Sequence, residues 1–260
     1  RLACLVQIPV LLGAVFFAFQ IYGDFSGYSD IAIGTAKLFG IDLLRNFAYP
    51  YFSRDIAEFW RRWHISLSSW FKDYLYIPLG GSKSGTAKKI RNTFIIFLVS
   101  GFWHGANFTF IVWGLLNAIF IMPSIIFNTN RNHIEIVAKG KNWPAPKELI
   151  SMSTTFCLTC FAWIFFRANT LTDAVNYIKG MCNRSILTIP YFPGIGLALP
   201  TMLLMIFFIL IEWKGREQQY AIAAIFSGHS KTARISWYYA LALIIFLYAG
   251  ANQQFIYFQF

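Results

Sequence analysis

Two histidines set the chemistry open to this sequence. His104 lies in Ser100-Gly101-Phe102-Trp103-His104-Gly105-Ala106-Asn107, inside an apolar run from Thr93 to Phe127. An ionisable side chain at membrane depth is costly and marks a candidate functional site. A desolvated imidazole stays neutral, and a neutral imidazole can take a proton from a hydroxyl. That is the part of a general base in a transfer reaction. Asn107, three residues further on, is placed either to orient His104 and hold a substrate or to pack helices, and spacing does not separate these. His64 falls one turn after Trp60 and one turn before Ser68. Alone it reads first as a structural hydrogen-bonding histidine. A second histidine so near a membrane face brings a functional role closer to even with the structural one.

The elements that must carry these groups are membrane elements. The chain has 260 residues, 57% hydrophobic and 19% aromatic, and only 13% of its residues are charged, against roughly a quarter in soluble domains. Its mean hydropathy is +0.52. The formal net charge of +11 is spread over short segments between apolar runs, as in cytoplasmic membrane loops, with no continuous basic face of the kind nucleic acid requires. The sequence opens on Arg1 and enters an apolar segment at once, without a signal-peptide pattern. It is expected to be the C-terminal part of a longer protein. Cys157 and Cys160 form a C-x-x-C in a Phe-rich run, without redox-domain context. They read as small helix residues. Neither cysteines nor histidines have metal-ligand spacing.

Taken in order, Leu2 to Tyr22 is long enough to cross a bilayer. Tyr22-Gly23-Asp24-Phe25-Ser26-Gly27-Tyr28-Ser29-Asp30 is a polar-aromatic stretch before a second apolar segment, Ile31 to Phe39. Asp24 and Asp30, with Ser26 between them, are placed either to line a cavity or to form a loop in which Asp30 caps the next helix. From Ser53 to Tyr76, Trp60, Trp63, Leu67, Trp70 and Tyr74 recur at steps of three and four. That predicts one amphipathic helix lying at the interface, with Arg54, Glu58, Arg61 and Arg62 largely off the apolar stripe. Ile77 to Arg91 reads as a flexible basic loop. Its Gly80-Gly81-Ser82-Lys83-Ser84 lacks the spacing and the preceding strand of a phosphate loop, although Lys83 and its basic neighbours could attract a phosphorylated donor by charge. Residues 53–91 are the strongest cytoplasmic assignment. Thr93 to Phe127 exceeds one upright span, so it is either strongly tilted or broken near Gly101 and Gly105. Further spans are expected at Ile150–Phe166, Leu197–Trp213 and Trp237–Gly250, with His133 and His229 in solvated loops.

The quoted stretches carry a resemblance. Tyr22 to Asp30 and Phe59-Trp60-Arg61-Arg62-Trp63-His64-Ile65-Ser66-Leu67-Ser68 resemble the membrane-bound O-acyltransferase superfamily. Asp73-Tyr74-Leu75-Tyr76-Ile77-Pro78-Leu79-Gly80-Gly81, Phe102-Trp103-His104-Gly105-Ala106 and Phe255-Ile256-Tyr257-Phe258 resemble its bacterial alginate O-acetyltransferase branch. The resemblance implies an all-α polytopic protein over residues 1–260, a ring of helices around a funnel with interfacial or re-entrant helices, in the bacterial inner membrane. It implies relay of acetyl from a cytoplasmic donor, acetyl-CoA, toward an exported polysaccharide beside a periplasmic SGNH-type partner, with no bound cofactor. In that family the residue matching His104 is catalytic and the residue matching His64 is a second important one. Trp63, Trp103, Asn107, Asp24, Ser26 and Lys83 are supporting candidates. Family members are near twice this length. Two other activities stay open: D-alanyl transfer to teichoic acid, disfavoured by Ile77 to Gly81 and the basic loop, and a proton-coupled transporter, disfavoured by the lack of an inverted repeat.

Overall fold

The computed structural model describes residues 10–83, 85–181, 195–222 and 228–248, and within these the chain is helical, with no strand. Contacts divide it into two compact units, Arg1–Pro200 and Thr201–Phe260.

In the first unit, helix α1 spans Val10–Leu38 without interruption. The polar-aromatic stretch is therefore helix, not loop, and exposed Asp30 lies inside it, not at a cap. The reason is register. Ala14, Ala18, Ile21, Tyr22, Ser29 and Ile33 are the buried positions, so one face continues through the polar residues at helical spacing. Residues 1–9 of the expected first span lie outside the described residues.

The Ser53–Tyr76 segment is not one helix. It divides into α2 (Ile56–Arg62), α3 (Ile65–Phe71) and a π turn, Lys72–Tyr76. The expected stripe divides with it: Trp63 is 2% exposed, while Trp70 and Tyr74 stand 53% and 69% exposed. What moved it is the charge on α2. Glu58 is a buried hub, 1% exposed, that accepts from Arg54 (Nε, 3.1 Å) and Arg62 (Nη2, 2.8 Å), each one turn away. Arg54 reaches on to Glu148 at 3.3 Å and to the carbonyl of Glu135. Residues read as solvated are thus the interior of a joint, because a buried carboxylate is tolerated only when paired and hydrogen-bonded.

Helices α4 (Thr86–His104) and α5 (Phe108–Ile126) form an antiparallel hairpin. The Thr93–Phe127 run therefore breaks at Gly105, while Gly101 stays helical. Gly101 and Gly114 set the spacing of the hairpin. A Cβ on Gly101 would run into the Phe110 carbonyl, and one on Gly114 into the Phe97 carbonyl. Helix α6 (Pro146–Arg167) packs on α5 and α1, and α7 (Leu171–Met181) returns against α1 and α6. Among the described residues, α5 and α6 are the two helices long and apolar enough to cross a membrane.

Helix α8 (Ile195–Gly215), most of which belongs to the second unit, and α9 (Lys231–Tyr248) lie where the later spans were expected, although α9 begins six residues before Trp237. Residues 249 and 250 lie outside the described residues. Arg216 lies 4.1 Å over the Trp213 ring.

Candidate active site

His104 is the last residue of α4, where the chain turns through Gly105, whose N–H bonds the Phe102 carbonyl at 3.2 Å. Its imidazole stands edge-on among aromatic rings of three helices. Trp103 is 4.8 Å away, Trp113 of α5 5.2 Å and Phe166 of α6 5.0 Å between centroids. Such edge-to-face packing fixes a ring's plane. Asn107 caps α5, accepting from the Thr109 N–H at 3.1 Å, and donates to the Asn169 carbonyl at 2.7 Å, tying the turn to the loop after α6. Trp103 is 56% exposed beside the imidazole.

His64 sits at the second break. Helix α2 ends at Arg62 with Trp63 as its cap, and His64 takes a left-handed conformation (φ 45°, ψ 56°) as the residue flanking the start of α3. Its ring meets Phe25 of α1 edge-on at 4.6 Å. Phe25 is the member of the polar-aromatic stretch that reaches this histidine, with half-buried Asp24 and Ser26 on either side of it in the chain. Burial pushes the His64 imidazole down to about 4. Its Nδ1 is buried without a hydrogen-bond partner among the described residues.

One aromatic cluster joins the two breaks. Trp63 lies 5.3 Å from Trp163, which stacks on Trp113 at 5.8 Å and meets Phe166 at 5.1 Å. Trp113 and Phe166 are the rings that flank His104, and the two imidazoles are within electrostatic reach of each other. Trp60 closes the other flank, meeting Trp113 at 5.7 Å and donating its indole N–H to Asn117 Oδ1 at 3.2 Å.

Beside this cluster opens a cavity of about 700 Å³. Arg61, Lys72, Lys83, Lys89 and Arg131 face it, and none of the described residues lining it is acidic. Its apolar wall includes Trp60, Phe71, Phe97 and Ile121. Ser68 and Ser100 also line it, one helical turn from His64 and His104 respectively. The Gly80–Lys83 turn thus contributes to a basic cavity without being a phosphate loop. The loop after α5 forms part of the wall through Asn130 and Arg131, held by Arg61, which donates to the carbonyls of Asn130 (2.7 Å) and His133 (3.1 Å). His133 is accordingly less free than a solvated loop residue, and its ring lies 3.9 Å from Asp55. His229 is exposed, as expected.

The membrane-bound O-acyltransferase family model matches residues 6–163, which hold both helix breaks and the named rings of the aromatic cluster apart from Phe166. The chain belongs to this family. A probable alginate O-acetylase AlgI of Pseudomonas aeruginosa is 42% identical over 172 residues, 65% of this chain and 31% of the relative. The peptidoglycan O-acetyltransferase of Helicobacter pylori is 42% identical over 174 residues, 67% of this chain and 32% of the relative. A teichoic acid D-alanyltransferase of Bacillus subtilis is 30% identical over 160 residues, 58% of this chain and 39% of the relative. The chain spans about a third of the length of the first two. Within the family, this member resembles the alginate branch more closely than the D-alanyl branch.

Three residue groups of this site lay outside the candidates taken from sequence. Trp113, Trp163 and Phe166 frame His104 from helices that read simply as apolar spans. Glu58 left a visible signal, since Arg54, Glu58 and Arg62 are spaced four apart. Asn46 left none, because its partners lie 17 and 20 residues away.

Proposed function

We propose that this chain carries the transfer centre of a membrane O-acetyltransferase that moves acetyl from cytoplasmic acetyl-CoA toward an exported or cell-surface polysaccharide. The observation that carries the reading is the convergence of His64 and His104 on one aromatic cluster, beside a cavity with five cations whose wall reaches within a turn of each. A phosphorylated donor suits the cations, and an extended thioester arm suits the apolar wall.

In the reaction, His104 takes the proton of the acceptor hydroxyl as its oxygen attacks the thioester carbon. The tetrahedral oxyanion then collapses, the carbon–sulfur bond breaks, and the departing thiolate takes the proton back from the imidazolium. His64, held neutral by burial, offers a hydrogen bond to the carbonyl oxygen as its charge develops. Either a sugar hydroxyl or the serine of a periplasmic SGNH-type partner fits as acceptor. Edge-on aromatic walls keep water from the reacting thioester.

The test is release of CoA from acetyl-CoA by the intact protein in nanodiscs with acceptor present. His104→Ala is expected to lower kcat by about 10²–10⁴ without impairing insertion. Undiminished turnover in that variant would end the reading. The identity to teichoic acid D-alanyltransferases keeps a second donor in view, a D-alanyl thioester on a carrier protein. Faster turnover of that donor than of acetyl-CoA would replace the first reading with the second.

A further inference from the structure

His64 holds a backbone conformation that residues other than glycine rarely adopt and that persists only where the surroundings over-determine it. Asn46 is the residue with most of the bonds that hold it. Asn46 accepts the Ile65 N–H on its carbonyl at 3.0 Å. With Oδ1 it accepts the Ser66 N–H at 3.1 Å and the Ser66 hydroxyl at 2.6 Å. Its Nδ2 donates to Ser29 Oγ of α1 at 3.3 Å. Two positions on, the Ala48 N–H bonds the Arg62 carbonyl at 3.0 Å. The segment from Asn46 to Ala48 therefore grips the chain on both sides of His64, and the side chain of Asn46 takes up an N–H that the start of a helix would otherwise leave open.

We propose that Asn46 is the positioning residue of His64. It locks the left-handed turn that aims the imidazole, and through Ser29 it fixes that turn to the helix that supplies Phe25, the ring against which the imidazole rests. This gives a physical reason for the two motifs, Tyr22 to Asp30 and Phe59 to Ser68, to occur in one site: a single amide side chain hydrogen-bonds to both. The inference rests on His64 serving the transfer reaction.

The experiment uses the intact protein in nanodiscs, with two readouts. The first is kcat and KM for acetyl-CoA, and the second is the rate of His64 modification by diethyl pyrocarbonate, followed by mass spectrometry. Asn46→Ala is expected to lower kcat roughly tenfold, with KM changed less than about twofold, and to speed modification of His64. Asn46→Asp keeps the acceptor for Ser66 and is expected to retain at least about half of native kcat. In a His64→Ala background the Asn46→Ala loss disappears, because there is no imidazole left to aim. The same loss with and without His64 overturns the proposal, and so does an unchanged modification rate. Should Asn46→Ala fail to insert, Ser66→Ala removes the 2.6 Å bond alone and is expected to show the same pattern at two- to threefold. Native turnover in His64→Ala would instead refute the role given to His64 in transfer, and the modification rate then decides on positioning separately.

Discussion

The two histidines sit at helix breaks that are built by opposite means. At His104 the chain turns between α4 and α5, and what holds the turn is shape: Gly101 and Gly114 let two backbones touch, and Trp113 and Phe166 close around the ring. At His64 the chain breaks between α2 and α3, and what holds it is polar: the Asn46 clamp on one side and the Arg54–Glu58–Arg62 joint on the other. The contrast follows from surroundings. In an apolar helix pair, close packing is the available fixative and any unpaired polar group is costly. At a segment that meets water, directional hydrogen bonds can set a strained backbone.

The largest expected effect comes from breaking the polar side. Glu58→Gln keeps the shape but takes the carboxylate from Arg62 and leaves Arg54 with Glu148 alone, and breaking a buried ion pair costs about 3–5 kcal/mol. Thermal unfolding in detergent is expected to show a large loss of stability. Turnover at low temperature is expected to fall with it, because α2 carries the approach to His64. A variant as stable as the native protein would mean that the joint is incidental to the polar break.

How far the sequence disclosed this division depends on the kind of force involved. A break near Gly105, one of two alternatives for the Thr93–Phe127 run, and the apolar helices α5 and α6 were legible because apolar runs and glycines are local signals, and His104 stood out there as an isolated imidazole. The continuity of α1 was not, since polar residues at 24, 26 and 30 mask a buried face that only the register of Ala18, Tyr22, Ser29 and Ile33 reveals. The break at His64 was equally hidden. Trp60, Trp63, Leu67, Trp70 and Tyr74 keep helical spacing across it, and the bonds that impose the break come from Asn46, distant in sequence. Periodicity reads propensity, and here tertiary hydrogen bonds overrode it. Lys83 was chosen for its charge, and it does face the cavity. Asn107 was chosen by spacing on a helix that has already ended there, so it became a cap.

The steric side is broken next, with a smaller expected effect. Gly101→Val places methyl groups where the Phe110 carbonyl already lies, and overpacking of this kind costs about 1–3 kcal/mol. The hairpin can yield only by parting, which moves His104 away from Phe166. Stability is therefore expected to fall modestly and kcat to fall further than stability alone explains. Gly101→Ala should lie between the two. Equal and small changes for Ala and Val would show that the hairpin has slack, and that close approach does not fix the imidazole.

An effect confined to acid pH sharpens the comparison further. Burial lowers the His64 imidazole from 6.5 to about 4, so the folded state resists binding a proton that the unfolded chain accepts. Stability is then complete above about 6.5 and falls as pH drops from there toward 4, because protonation favours the unfolded side throughout that window. His64→Gln removes this term, so its melting temperature should decline less than that of the native protein between pH 6.5 and 4. Turnover limited by neutral His64 is likewise expected to hold steady down through pH 6 and to fail only on approach to about 4. If the native protein and His64→Gln lose stability in parallel across that range, the acid sensitivity belongs to other groups. The polar break would then hold its histidine in a wetter place than the packing around Phe25 indicates.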